Sequence, residues 1–171
     1  MNEDYILYRY ISKEEQSRSF DELLETKKLV IRNELDFNNW EMIKKWIYHF
    51  ICTLGKVKLF ALYNSEGVVH YSFVCSRSIK FLFLRKSDFV IGPCWTKESF
   101  RGNKIYPITI NYIAWSKKST DQSTNIYILV REHNIESTNG VVHAGTWFPI
   151  GKIKKNVFKQ YKDYILYDKK D

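Results

Sequence analysis

The chain has 171 residues, 44% of them hydrophobic and 16% aromatic, with seven glycines and three prolines. That composition supplies a core for one domain over residues 1–171 and excludes a flexible linker or low-complexity tail. A formal charge of +8 favours an anionic partner, but the lysines spread from Lys13 to Lys170 without a block of like charge, which argues for a local anion site over a nucleic-acid-binding arm.

No apolar run reaches the roughly 18 residues that span a bilayer, and the first residues lack the basic-then-apolar order of a signal peptide, so the expected location is the cytoplasm. Cys52, Cys75 and Cys94 are odd in number and far apart, without zinc-site spacing. They read as reduced thiols, and no metal site is expected.

In chain order, Tyr5 to Tyr10 predicts a first strand. Ser12, Glu14 and Glu15 read as a helix start, with Phe20, Leu23 and Leu24 carrying the helix to about Glu25. Lys28 to Arg32 reads as extended. Asn38 or Asn39 then caps a helix in which Trp40, Ile43, Ile47, Phe50 and Leu54 recur at helical spacing until Gly55. That periodicity places Trp40, Trp46 and Phe50 in the core.

Lys56 to Tyr63 and Val68 to Ser76, joined by "NSEG", predict an antiparallel hairpin. The run "RSIKFLFLRKSD" has no assigned place beyond an extended piece. Phe89 to Trp95 is apolar enough for a central strand. Pro107 to Lys118 predicts a helix with Ile105, Ile108, Tyr112 and Trp115 on one face. Asn125 to Val130 predicts a strand, Ser137 to Ala144 a helix ended by Gly145, and "TWFPIGKI" and Asn156 to Tyr167 extended pieces. The order gives an α+β fold of mixed α/β layers, with a mostly antiparallel central sheet and one strand-helix-strand unit that a right-handed crossover makes parallel.

Within that unit, Arg101, Gly102 and Lys104 stand where a strand hands over to a helix. Unpaired first-turn amides and the helix dipole make such a place an anion site, to which Arg101 and Lys104 add full charges. A solvated turn with two surface cations is the other reading of the same residues.

The stretch "FVIGPCWTKESFRGNKIYP" resembles the fourth strand and pyrophosphate loop of the GCN5-related N-acetyltransferases (GNAT superfamily). "NIYILVREHNIESTNGVVHAG" is similar to the family's fifth strand and next helix, with Asn134, Ser137 and Gly145 at matching spacing. The resemblance implies acetyl-CoA as co-substrate. The backbone around Cys94, Trp95 and Thr96 would pair with its pantetheine arm, Arg101, Gly102, Asn103, Lys104, Ile105 and Tyr106 would wrap the pyrophosphate, and Asn134 and Ser137 would contact it from the next strand end.

This chain departs from the family at Lys104 and Tyr106, which replace small residues. It departs again at Val141, seven residues after Asn134, where many members carry a Tyr acid. His70 is a candidate base, or else a strand histidine with satisfied hydrogen bonds; Asp88 is a candidate base or a turn residue. Cys94 reads as a small buried residue rather than a nucleophile, and His143 as a surface or cap residue. Trp95 and Trp147 offer an aromatic wall for a sugar or flat ring, or serve as core.

The expected function is N-acetyl transfer to a primary amine. The loop "IGPC…IYP" looks like acyltransferases of bacterial surface-polysaccharide clusters, which implies the amine of a nucleotide-linked amino sugar. The oligomeric state is open, a homodimer included. The alternative is a non-catalytic module that binds nucleic acid or another polyanion.

Overall fold

A computed structural model of the chain describes residues 3–12, 14–155 and 160–167. The elements are β1 (Glu3–Tyr10), α1 (Ser17–Lys27), β2 (Val30–Arg32), α2 (Trp40–Thr53), β3 (Val57–Asn64), β4 (Gly67–Ser76), β5 (Phe89–Thr96), a 3-10 turn (Glu98–Phe100), α3 (Ile105–Thr120), β6 (Ile126–Arg131), α4 (Ile135–His143), β7 (Trp147–Lys155) and β8 (Tyr161–Leu166). The mixed α/β layers and mostly antiparallel sheet are as expected. The extended run expected from Asn156 contains β8, while residues 156–159 lie outside the described ones.

The strands form one sheet in the order β2-β3-β4-β5-β6-β1-β7-β8. Among the described strands, β5 and β6 are the parallel neighbours and every other pair is antiparallel. The first strand lies inside the sheet: Tyr5 to Arg9 pair with Arg131 to Tyr127 of β6, and the other edge of β1 pairs with β7 from Lys155 to Trp147. A strand's own sequence shows its period, not its partner.

Helices cover both faces. Phe20 and Leu23 of α1 and Ile105 of α3 pack on Leu62 and Val69, while Ile110, Ile113 and Ala114 of α3 and Val141 of α4 pack on Ile91, Ile126 and Ile128. On the other face, Met42 and Trp46 of α2 join Tyr71, Phe73 and Cys75. Phe81 and Leu84, from the run without an assigned place, plug this second core, and Phe81 stacks on Tyr161 at 5.5 Å.

Two expectations need correction. Helix α1 begins at Ser17, because Ser12 Oγ accepts from the Glu14 amide in a local turn instead of starting a helix. Helix α2 exists and is capped by Asn39, whose Oδ1 accepts from Met42 N at 3.0 Å, but its apolar stripe faces outward. Trp40, Ile51 and Leu54 are 63%, 66% and 70% exposed, and Ile47 and Phe50 are also exposed. Met42, His49 and Thr53 form the buried side. Trp46 alone of the three expected core aromatics of this helix packs against the core.

Candidate functional site

Two bulges decide which side chains meet. Leu62 pairs with His70 but Tyr63 with Val68, so Val69 is an extra residue on β4. Ser72 pairs with Cys94 but Val74 with Ile91, so β5 carries an extra residue across Gly92 and Pro93, with Gly92 at φ +128°. Because side chains alternate with period two, one inserted residue reverses every side chain beyond it. His70, Ser72, Cys94 and Thr96 therefore share the face under α3. Trp95 goes to the opposite face, stacked on Tyr71 at 5.5 Å.

These four side chains form a hydrogen-bonded row. His70 Nδ1 is 2.8 Å from Thr96 Oγ1, His70 Nε2 is 2.9 Å from Ser72 Oγ, and Ser72 Oγ donates to Cys94 Sγ at 3.1 Å. A hydroxyl has one proton, so Ser72 must accept from His70 Nε2–H, and Thr96 must donate to Nδ1. Burial lowers the imidazole of His70 to about 3 and pushes the Cys94 thiol up to about 12. The row is thus neutral at physiological pH. His70 is completely buried, with both ring nitrogens engaged.

Beside this row the sheet opens. β5 and β6 pair only from Phe89–Ile126 to Ile91–Ile128, and past that point Gly92–Thr96 leave β6. The loop that follows β5 lies above the opening. Gly102 has φ +78°, with nothing within 4 Å of where a Cβ would sit, and Lys104 is left-handed at φ 57° immediately before α3. The first turn of α3 carries no acidic residue and Lys104 makes no side-chain cap, so the helix end keeps its positive potential.

Three cations gather there. Arg101 reaches Thr96 O through Nε at 3.4 Å, Lys104 starts the helix, and Lys27 from the end of α1 donates to Asn103 Oδ1 at 2.7 Å. Lys27 is 76 residues from its partner, and no local sequence signal marks it as part of this loop. Asn103 Nδ2 bonds Phe100 O and Arg101 O, which fixes the loop shape. Ile105 turns its side chain into the core and leaves only its amide for a ligand.

Tyr106 inserts its ring between the helices and the sheet. It lies 6.3 Å from the His70 ring, and a Cβ added to Gly140 of α4 would meet Tyr106 Cδ1 at 2.5 Å. Replacing a mid-helix Gly with Ala ordinarily stabilises by up to about 1 kcal/mol. Here the ring is walled in and cannot yield cheaply, so Gly140→Ala is expected to destabilise by about 1–3 kcal/mol, read by urea unfolding.

The other expected residues are placed as follows. Asn134 caps α4, its Oδ1 accepting from Ser137 N at 3.0 Å, beside a depression of about 440 Å³ lined by Arg131, His133 and Glu136. Asp88 is buried at the opposite end of β5, where Oδ2 accepts from Arg85 N and Oδ1 from the amide and side chain of Asn125. Eight residue steps separate it from Thr96, roughly 25 Å along the strand.

Trp147 is core, with Nε1 donating to Asn111 Oδ1 at 2.8 Å, so of the two tryptophans expected to wall a pocket Trp95 is the one that stays partly open. His143 is exposed and bonds Asn139 O. A groove of about 990 Å³ lies elsewhere, between Leu35, Trp46 and Phe60 and the later turns of α3. Among the described residues there is no metal-ligating cluster, and no helix is long and apolar enough to cross a membrane.

No protein-family profile and no curated protein matches the sequence. Solved structures do match. A GNAT-family protein from Novosphingobium aromaticivorans superposes with a TM-score of 0.57 over 90% of this chain and 63% of its own, at 7% identity. The fold is the GNAT fold. A GNAT-family acetyltransferase from Colwellia psychrerythraea gives 0.53 at 10% identity, covering 87% of this chain and 54% of its own. A conserved Staphylococcus epidermidis protein of unknown function gives 0.54 at 9% identity, covering 89% and 60%. The chain thus spans 54 to 63% of the length of these three structural neighbours.

Proposed function

We propose that the protein transfers an acetyl group from acetyl-CoA to a primary amine. The observation that carries this reading is the junction itself: a loop bearing Arg101, Lys104 and Lys27 at a helix N-terminus lies next to β5 backbone that has parted from its parallel neighbour. A diphosphate fits the open space before Gly102, and an amide-bearing arm fits the free edge of Gly92–Thr96. Arg101, Lys104, Lys27 and the amides of Gly102 to Tyr106 would hold the phosphates; Cys94, Trp95 and Thr96 would bind the arm through their backbone. Bound acetyl-CoA supplies an acyl carbon activated as a thioester.

The burial of His70 and its two hydrogen bonds favour a holding role: neutral, it fixes Thr96 and Ser72 and through them the end of β5. Asp88, roughly 25 Å away along the strand, is read as a strand tie. For the acceptor we infer an amine on a nucleotide-linked amino sugar, supported by the net +8 charge and the partly open face of Trp95. A cationic polyamine would be repelled by the same charge.

Calorimetric titration at moderate salt with acetyl-CoA and, separately, a mixed-sequence oligonucleotide tests the reading. Saturable acetyl-CoA binding is expected, weakened about 10- to 100-fold in Arg101→Ala and Lys104→Ala and by a smaller factor in Lys27→Ala. Oligonucleotide binding without acetyl-CoA binding would replace the enzyme reading with a polyanion module. Thiol release across amino sugar nucleotides, polyamines and peptides tests the acceptor; turnover confined to polyamines or peptides would reject the amino sugar.

A further inference from the structure

Helix α2 buries one side and leaves an apolar pole on the other. Met42, His49 and Thr53 face inward, while Trp40, Ile47, Phe50, Ile51 and Leu54 fall within about 100° of one another on the far side, at 3.6 residues per turn. From Trp46 to Gly55 the sequence holds no Asp, Glu, Lys or Arg, so the last turns present no charge to water. A helix with apolar residues on opposite sides is one that is covered on both.

The uncovered surface continues past the helix. Phe50 packs on Trp46 with ring centroids 4.9 Å apart, and Trp46, Leu35 and Phe37 line the groove of about 990 Å³. That groove follows β3 from Val57 to Phe60, the part of its edge that β2 leaves open, since β2 pairs only with Ala61 to Tyr63. An open strand edge is ordinarily shielded. Phe37, Trp40, Ile47, Phe50, Ile51 and Leu54 are 43% to 82% exposed and, at roughly 150–250 Å² for a large side chain, present on the order of 700 Å² of apolar surface. The largest apolar patch of a typical monomer is about 300–600 Å², and each partner in a stable interface gives about 800 Å².

The charges around this face indicate what covers it. Where α2 begins, Glu34, Asp36 and Glu41 outnumber Arg32 and Lys44: Tyr63 Oη donates to Glu34 O at 2.9 Å, the Asp36 carboxylate lies beside Gly67, and Glu41 stands in the first turn of α2. Arg32 lies over the Tyr63 ring and Lys44 pairs with Glu41. At the other end Lys56 and Lys58 lead into β3, and Lys58 and Lys117 line the groove with no acid paired to either among the described residues. Burial, and then the Lys58 ammonium, lower Lys117 below the ordinary lysine range. The face therefore runs from acidic to basic along α2, and a two-fold axis across the middle of the helix sets the acidic end of one copy on the basic end of another. An anionic lipid surface would repel the acidic end.

We propose that the chain forms a two-fold homodimer through the outer pole of α2 and the groove beside it, with the two α2 helices antiparallel and the Glu34 end of each copy against the Lys58 end of its partner. This holds independently of the acetyl-CoA reading.

Sedimentation velocity and light scattering, from nanomolar to tens of micromolar protein, read the association. A species of twice the chain mass is expected, with a dissociation constant in the micromolar range or tighter. Ile51→Lys places a cation in the last turn of α2, where the helix dipole favours it, so the fold is kept, as circular dichroism and urea unfolding verify. Self-association of this variant is expected to weaken by about 100-fold or more. Glu34→Lys and Lys58→Glu are each expected to weaken it about tenfold, and the double variant to return to within about threefold of the wild type.

A wild type that remains monomeric at tens of micromolar overturns the proposal. If that monomer binds vesicles of phosphatidylserine and phosphatidylcholine and Ile51→Lys does not, the face belongs to a membrane instead. Ile51→Lys dimerising as tightly as the wild type overturns the α2 interface, and charge-reversal losses that add in the double variant overturn the antiparallel arrangement.

Discussion

Between pH 7.5 and pH 5 the folded protein is expected to lose roughly 4 kcal/mol of stability, a large share of the 5–15 kcal/mol typical of a domain. Two histidines are responsible. Burial brings His70 to about 3, and burial with the nearby Lys80 ammonium does the same to His49. Lys80 Nζ lies 3.3 Å from His49 Nε2, and Cys75 Sγ lies 3.8 Å from Nδ1.

The unfolded chain protonates each imidazole below about 6.5, whereas the folded chain stays neutral until about 3, so the unfolded state gains protons and stability falls as pH drops through that window. Each histidine contributes about 2 kcal/mol of loss by pH 5. The exposed carboxylates Glu41, Asp121 and Glu132 have lowered values, and their contribution persists until the pH falls further. Urea unfolding at several pH values reads the slope, and His49→Gln should roughly halve it. A flat profile from pH 7.5 to 5 would mean that both imidazoles protonate freely in the folded state.

Asp88→Ala is expected to cost about 3–5 kcal/mol. The carboxyl is buried and accepts from Arg85 N at 3.1 Å, Asn125 N at 3.0 Å and Asn125 Nδ2 at 3.2 Å, tying the starts of β5 and β6 together. Alanine removes the acceptor of all three part-buried donors at once. Asp88→Asn can satisfy one side only, because its amide nitrogen must face a donor on the other, so about 2 kcal/mol is expected. Specific activity per folded molecule should not change in either variant. A large loss of activity with stability intact would instead return Asp88 to the list of bases.

The sequence makes some of this legible for reasons that are local. The Asn39 cap, the "NSEG" hairpin and the strand-helix-strand unit each depend on residues a few positions apart, and each is where it was expected. Lys27, Tyr106 beside Gly140, and the row from Thr96 to Cys94 depend on distant segments meeting, which no window of sequence contains.

Helix α2 shows a different limit. Its period correctly indicates a helix, but period says only that apolar residues share a side, and the fold turns Met42, His49 and Thr53 inward instead. In β5, "GP" inside an apolar run was the available sign of a bulge, and counting from it assigns Cys94 and Thr96 to one face and Trp95 to the other.

The place of β1 in the sheet also governs how the chain is made. Tyr5 bonds Arg131 across 126 residues, and β7 emerges later still. During synthesis the first strand leaves the ribosome early and must wait, at about 5–20 residues per second, for both of the edges it will join. Until then its aromatic run stays unpaired, while β3, β4 and their hairpin can already close. The pairings of β1 with β6 and β7 then unite the two halves of the sheet around a segment made before either, so closure of the sheet is slow by contact order.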